Sequence, residues 1–512
     1  MELFGVLPFL LVSCITFLLI LIRRRDATKG KLPPGPTPLP LLGNLLQLNI
    51  RDIVASFNKL RKQNGPIFTV YMGSRPIVVL CGYEVIKEAL VDNAETFGGR
   101  GPLQDLDDSF SKYVESPFPG VVTTNGERWR QLRRFSLITL RNFGMGKRSI
   151  EERIQEEAQF LVQVLRKTEG HPFDPTIHLS HAVSNVICSI VFGNRFEYED
   201  KNFIFLLDTI KKSFSVLLST WVQICNFFPS LMRILPGPQH KLTRYMKKLI
   251  NFISQRVKMH QESFDPNCPR DFIDCFLAKM EQEKSNPASE FIHENLVATV
   301  LNLFFAGTDT TGNTILQGLV VLLRHPEMEA NIQEEIERVI GRNRSPSYED
   351  RNQMPYTEAF INEIQRFLDL FPVAVPHLVT KEAHFRGFTI PKITVAPGVS
   401  AFPLQGTTVI PFLSSIMKSS QYYETPRKFN PGHFLDENGA FKKVDAFLPF
   451  GAGKRVCPGE GLARMEIFVI LTTLLQNFHL KASKQHEEID IAPVVESNGH
   501  VPRRYQLCVV PR

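Results

Sequence analysis

None of the eight cysteines (Cys14, Cys81, Cys188, Cys225, Cys268, Cys275, Cys457 and Cys508) forms a CxxC pair, and they are scattered over 512 residues. That excludes a dense disulfide framework and a zinc ribbon. Most of them read as small buried hydrophobes in a reducing compartment. An internal repeat and a long low-complexity tract are also lacking, which argues against a repeat architecture. Charge of one sign is not in large excess. The 59 Lys plus Arg against 52 Asp plus Glu leave +7, which permits a basic face but does not mark a nucleic-acid binder. With 43% hydrophobic and 22% charged residues, nothing points to disorder or collagen. The length is enough to enclose a sizeable cofactor in a core.

What the chain does have begins at its amino end. Leu3–Ile22 carries no charge, and about 20 apolar residues span a bilayer core. Arg23, Arg24 and Arg25 follow, and the positive-inside rule then keeps the remainder cytosolic. A cleaved signal peptide is the competing reading. It has a shorter apolar region, of about 7–15 residues, behind a charged leader, whereas here the leader holds only Glu2 and the basic cluster comes after. The expectation is a membrane anchor over 1–25. Prolines 33, 34, 36, 38 and 40 make 26–44 a stiff extended linker. The rest, 45–512, is expected to be one mostly α domain with small β-sheets. Ile67–Tyr71 and Pro76–Leu80 read as a hairpin. Trp129–Leu370 is mainly helical in pattern, as in Ile154–Leu165 and Glu329–Ile340. Phe385–Pro411 suggests short strands, Glu460–Leu480 a helix, and the tail from Val494 strand again.

The strongest motif is FLPFGAGKRVCPGEGLARMEIF, which fits F-x-x-G-x-R-x-C-x-G through Phe450, Gly453, Arg455, Cys457 and Gly459. Two glycines allow a sharp turn and close approach to a flat object. Cys457 stands just before a helix start, where free N–H groups favour a thiolate. Arg455 suits an anionic group of a cofactor, and Phe450 can shield the sulfur. The bland alternative is a Gly-rich loop holding a buried cysteine. Glu363 and Arg366 form E-x-x-R, one face of a helix; alone, a solvated pair is the better reading. AGTDTT, Ala306–Thr311, puts Gly, Asp and Thr inside an apolar helix, where they are disfavoured. Either the helix kinks mildly or it opens a groove. Trp129 and Arg133 lie one helical turn apart in WRQLRR.

Taken together these motifs resemble the cytochrome P450 family of haem-thiolate monooxygenases, most closely its vertebrate microsomal family-2 branch, over essentially the whole chain. The resemblance implies a fold enclosing haem b with Cys457 as the iron ligand. Arg100, Trp129, Arg133, His377 and Arg455 fall at positions that meet the haem propionates, and Ala306 borders the cofactor. Asp309 and Thr310 match the family's acid–alcohol pair for proton relay. Glu363, Arg366 and His433 match its structural brace, with His433 a weaker, titratable partner where many relatives have arginine. Phe304, Phe305, Val373, Ala374, Val375, Asn498 and Gly499 fall at substrate-pocket positions, and Pro102–Thr124 at the roof loop. Asn226–Pro238 is apolar enough to dip into the bilayer interface. Arg128, Arg130, Arg134, Lys442, Lys443 and Lys454 would form the basic face that docks NADPH-cytochrome reductase and cytochrome b5. The location implied is the endoplasmic reticulum membrane. The reaction is insertion of one oxygen atom into a lipophilic xenobiotic, fatty acid or steroid.

One feature departs from that pattern. After FRGFTIPK the family usually continues with GTTVIP, and this chain carries 13 further residues, Ile393–Gln405, in between. The hypothesis is a splice or annotation artefact rather than a functional lid; transcript sequencing across the junction decides, and the insert's presence in every transcript would refute it. Two alternative functions follow. One is a membrane-anchored haem binder whose turnover the insert abolishes. The other is a peroxide isomerase of the same fold, which often lacks the acid–alcohol pair.

Overall fold

The computed structural model describes residues 32–73, 75–101, 120–143, 148–219, 221, 225, 235–392, 407–483, 485–496 and 499–512. The expected anchor, most of the roof loop and of 226–238, the insert and Asn498 lie outside these. Among the described residues no helix is long and apolar enough to cross a membrane.

The longer helices in chain order are α1 (Ile53–Asn64), α2 (Gly126–Asn142), α3 (Arg148–Arg166), α4 (Thr176–Val191), α5 (Lys201–Leu218), α6 (Pro238–Glu262), α7 (Phe272–Gln282), α8 (His293–Arg324), α9 (Pro326–Val339), α10 (Pro355–Leu368) and α11 (Glu460–Asn477). Several boundaries follow from local chemistry. Asp52 Oδ1 accepts from Ala55 N at 2.9 Å, and the Asp200 side chain accepts from Asn202 and Phe203 N–H; both satisfy donors a helix start leaves free. Proline opens α9 and α10, where its missing N–H costs nothing.

Two helices are buried all round. Thr357–Leu368 of α10 and Met465–Gln476 of α11 are buried without a break; α11 is apolar nearly all round, whereas α10 buries a polar face whose Glu363 and Arg366 pair with each other. With buried faces of α3 to α9 they build the main core. The mixed sheet has the order β1–β2–β6–β3, from β1 (Ile67–Met72), β2 (Arg75–Cys81), β3 (His377–Leu378) and β6 (Thr408–Phe412). β1 and β2 form the expected hairpin, Ile67 opposite Leu80, while β6 runs parallel to β2. β4 (Ala383–Phe385) and β5 (Phe388–Ile390) pair across Arg386 and Gly387, both at positive φ, the mirror-image turn that suits strand twist. β7 (Phe478–Ala482) pairs with β10 (Leu507–Pro511), and β8 (Val494–Glu496) with β9 (Gly499–Val501).

The last helix is shorter than its sequence pattern suggests. It ends at Asn477 rather than Leu480, because Phe478 is extended (φ −136°, ψ 151°) and pairs with Pro511. Here tertiary pairing overrides the apolar pattern.

Candidate functional site

The cysteine loop turns on two left-handed glycines, Gly451 (φ 79°) and Gly453 (φ 71°). A Cβ on Gly453 would lie 1.9 Å from the Leu90 carbonyl oxygen, so only glycine fits there. Gly459 differs from the expectation. Its φ of −92° is open to any residue, and a Cβ there would meet Cys457 Sγ at an ordinary 3.9 Å. Cys457 N donates to Phe450 O at 3.0 Å, which closes the loop. The Arg464 guanidinium lies 5.1 Å from the Phe450 ring.

Cys457 is exposed to solvent, yet it lies in a recess with protein on most sides. That desolvation pushes the thiol above its ordinary value, against the Gly459 and Glu460 N–H groups and Arg133, which pull it down.

Three guanidiniums converge near this loop. Arg455 Nε donates to Gly98 O at 2.9 Å, and its Nη2 donates to Thr124 O at 2.8 Å and to Asn125 Oδ1 at 3.0 Å. Its guanidinium carbon sits 3.9 Å from the Trp129 ring centre, and that of Arg133 sits 5.8 Å away. Arg100 Nη1 donates to Val375 O (2.6 Å) and Pro376 O (2.9 Å), and Arg133 Nη2 to Val456 O (2.6 Å). Burial, together with the charge of Arg133, lowers Arg100 to about 10; burial, with the charges of Arg100 and Arg133, lowers Arg455 to about 9. Among the described residues no carboxylate pairs with these three. Arg100 Nε, Arg455 Nη1 and Trp129 Nε1 are buried with no protein partner. Like charges with orphaned donors ask for an anionic guest, so these residues fit a cofactor bearing carboxylates.

His377 belongs to the same cluster but not as a cation. Burial, then the neighbouring Arg100, push it down to about 3, and its Nδ1 donates to Phe97 O at 2.7 Å. With that hydrogen spent on Phe97 O, the neutral ring has no second donor and lacks the positive charge expected of it. Asn125 was not foreseen in the sequence. It is the residue before α2, and its side chain is spent on the cluster rather than on a cap: Oδ1 accepts from Arg100 N at 2.7 Å, and Nδ2 donates to Arg100 O at 2.7 Å.

α8 runs unbroken through Ala306–Thr311, so no break marks the polar stretch. Ala306 is exposed between buried Phe304 and Thr308. Thr310 Oγ1 donates to Ala306 O at 2.9 Å. Burial raises the Asp309 carboxyl to about 6, with Lys211 of α5 partly opposing. Gly307 has a packing cause: a Cβ there would lie 2.6 Å from Ile187 Cδ1 of α4.

The Glu363–Arg366 pair is not a solvated one. Both side chains are 0% exposed and meet in a fork at 2.6 and 2.7 Å. Arg366 also donates to Met417 O, Pro426 O and Lys428 O, and Glu363 Oε1 accepts from Asn430 N at 2.8 Å. His433 Nδ1 lies 3.3 Å from both Glu363 oxygens, and its Nε2 accepts from Thr425 N at 3.2 Å. Since Nε2 accepts, the ring hydrogen is on Nδ1.

Two pocket expectations separate. Phe304 is fully buried against Phe192 at 5.7 Å and belongs to the core. Phe305 is half-buried and meets Phe214 of α5 at 5.9 Å, and Phe214 in turn meets Phe371 at 6.3 Å. Sequence spacing gave no signal for Phe214 or Phe371. Val373 and Ala374 are half-buried, Val375 exposed and Gly499 buried. Of the six residues expected to form a basic face, Arg128 pairs with Glu290, Arg130 with Glu127 and Lys454 with Glu95; Arg134, Lys442 and Lys443 are exposed.

The family model for cytochrome P450 matches residues 33–509. This chain belongs to the cytochrome P450 family. Cytochrome P450 2C20 of Macaca fascicularis is 51% identical over 506 residues, covering 98% of this chain and 99% of that protein. Cytochrome P450 2C8 of Homo sapiens is 50% identical with the same coverage. Cytochrome P450 2H2 of Gallus gallus is 50% identical over 512 residues, covering all of both chains. As a cytochrome P450 the protein is a haem-thiolate monooxygenase, an oxidoreductase with haem iron. The haem-binder and isomerase alternatives are not favoured.

Proposed function

We propose that this P450 oxidises a lipophilic small molecule of the xenobiotic, fatty acid or steroid class, with electrons from NADPH passed through a flavoprotein reductase. One oxygen atom of O2 enters a C–H bond of the substrate. The other leaves as water, taking two electrons from NADPH and two protons. When bound, the haem supplies the oxidising chemistry, with Cys457 as its sulfur ligand. The observation that carries the reading is the Arg100–Arg133–Arg455 cluster, whose orphaned donors suit two carboxylates. Trp129 completes it as a neutral donor. Gly453 keeps the loop tight against Leu90, and Phe450, under the Arg464 guanidinium, is proposed to shield the sulfur. A raised Asp309 is suited to pass a proton, and the Thr310 hydroxyl, now on Ala306 O, can swing to receive it.

Phe305, Val373, Ala374, Val375, Asn498 and Gly499 are proposed to line an apolar pocket, joined by Phe214 and Phe371. Glu363, Arg366 and His433 brace the loop side. The domain at 45–512 is proposed to stand behind a linker at 26–44 and an anchor at 1–25, on the cytosolic face of the endoplasmic reticulum. Arg134, Lys442 and Lys443 are its candidate contacts for the reductase and cytochrome b5. The carbon monoxide difference spectrum of the reduced protein, then NADPH-dependent oxidation with added reductase, test this reading. A haem-loaded protein without the thiolate spectrum would refute it.

A further inference from the structure

Four consecutive carbonyls close α10 and start the segment after it, and each is met by a donor from elsewhere. Lys418 Nζ donates to Phe367 O at 2.7 Å. His500 Nδ1 donates to Leu368 O at 3.2 Å and to Asp369 O at 2.9 Å. The His500 backbone N–H donates to Leu370 O at 3.1 Å. One residue, 132 positions from Leu368 in the chain, thus holds three of the four. A helix leaves its last carbonyls unpaired, and Asp369 turns the chain outward in the left-handed region at φ 49°. With Nδ1 facing two carbonyl oxygens, that nitrogen carries the hydrogen.

The segment after α10 is tied on its other sides too. Ser414 N donates to Pro372 O (3.0 Å) and Ala374 N to Pro411 O (3.1 Å), while Arg100 holds Val375 O and Pro376 O. These ties join 372–376 to the sheet and to the arginine cluster. His500, buried on β9 next to Gly499, ties the start of this segment to the β8–β9 hairpin.

We infer that His500 is a positioning residue for substrate selection, setting how far Gly499 stands from Val373–Val375. This rests on the reading above that both stretches line the pocket. Removing the donor leaves buried carbonyls unpaired, and the hairpin shifts to rehydrate them. A ligand that fills the pocket feels that shift, and a small one does not.

The test uses the full-length, haem-loaded protein and spectral titration with two probes, imidazole and 1-phenylimidazole. His500→Ala and His500→Leu are expected to change the ratio of the two dissociation constants by about threefold to tenfold. His500→Asn, whose amide nitrogen stands where Nδ1 stood, restores the ratio to within about twofold. The reduced carbon monoxide spectrum stays that of the wild type throughout. An unchanged ratio in the Ala or Leu variant overturns the inference, as does an Asn variant that behaves like Leu. Should the donor-less variants fail to load haem while Asn loads, His500 is a folding tie and the inference is likewise overturned. A wild type that binds neither probe refutes the proposed function itself, a result distinct from these.

Discussion

Arg455 sits over the Trp129 ring, its guanidinium carbon 3.9 Å from the ring centre, and each of the two side chains keeps one buried nitrogen without a protein partner. Stacking orients both toward a common guest without using up those donors. Arg455→Gln removes the charge and one orphaned donor. Haem affinity is expected to fall about 10- to 100-fold, on the scale of a charge-assisted hydrogen bond. Transfer of haem to an acceptor apoprotein measures it; an unchanged transfer rate would remove the arginine cluster from the site.

Cys457→Ser keeps the shape of the loop and takes away the sulfur. The reduced carbon monoxide spectrum should lose its thiolate form, and turnover should drop at least about 100-fold. The hydrogen bond from residue 457 to Phe450 O is a backbone one, so thermal unfolding of the haem-free protein should change little, while the haem-loaded form loses the stabilisation its iron ligand supplied.

Asp309 predicts a pH dependence with a definite sign. Its folded carboxyl sits at about 6 against an ordinary 3.8. Between these values the folded state binds more protons than the unfolded, so its contribution to stability falls as pH rises through about 6. Asp309→Asn mimics the protonated form. It should unfold at a higher temperature than the wild type at pH 8 and converge with it below the ordinary carboxylate range. Turnover of the variant should be lower by about 100-fold or more if the proton passes this way.

Glu363→Gln leaves Arg366 charged and fully buried. Breaking one partner of such a pair costs about 3–5 kcal/mol. Chemical denaturation should show that loss, and haem-loaded yield should fall with it. A cost below about 1 kcal/mol would place the pair with ordinary surface bridges.

Deleting Ile393–Gln405 tests the insert. Thr407 Oγ1 already donates to Pro391 O at 2.5 Å across its ends, and β6 pairs with β2 and β3 directly after it. Shortening a loop closed in this way changes stability by about 1 kcal/mol or less. Equal turnover with and without the segment supports the artefact reading. A marked change in turnover at equal stability would make it a functional lid.

Much of the site was legible because its geometry is local. The cysteine loop, the E-x-x-R fork and the Trp129–Arg133 turn each follow from spacing within one element. What escaped depends on partners far along the chain. Phe304 and Phe305 are neighbours in sequence, yet one helical step turns them to different surroundings, and only the fold decides which meets Phe214. The burial of Glu363 and Arg366 reversed the reading that the pair alone would have given. The end of α11 depends on a strand at the carboxyl terminus. Asn125 and His500 carry no motif at all: their hydrogen bonds cross 25 and 132 positions of chain, respectively.

Gly307 has a wider consequence. Ile187 Cδ1 and Cγ1 occupy the space a methyl group would need, so growth at position 307 requires Ile187 to turn aside or to shrink. Among homologues the two should therefore change together, alanine at one accompanying a smaller aliphatic at the other. A double-mutant cycle on the pair should show the second substitution rescuing the first.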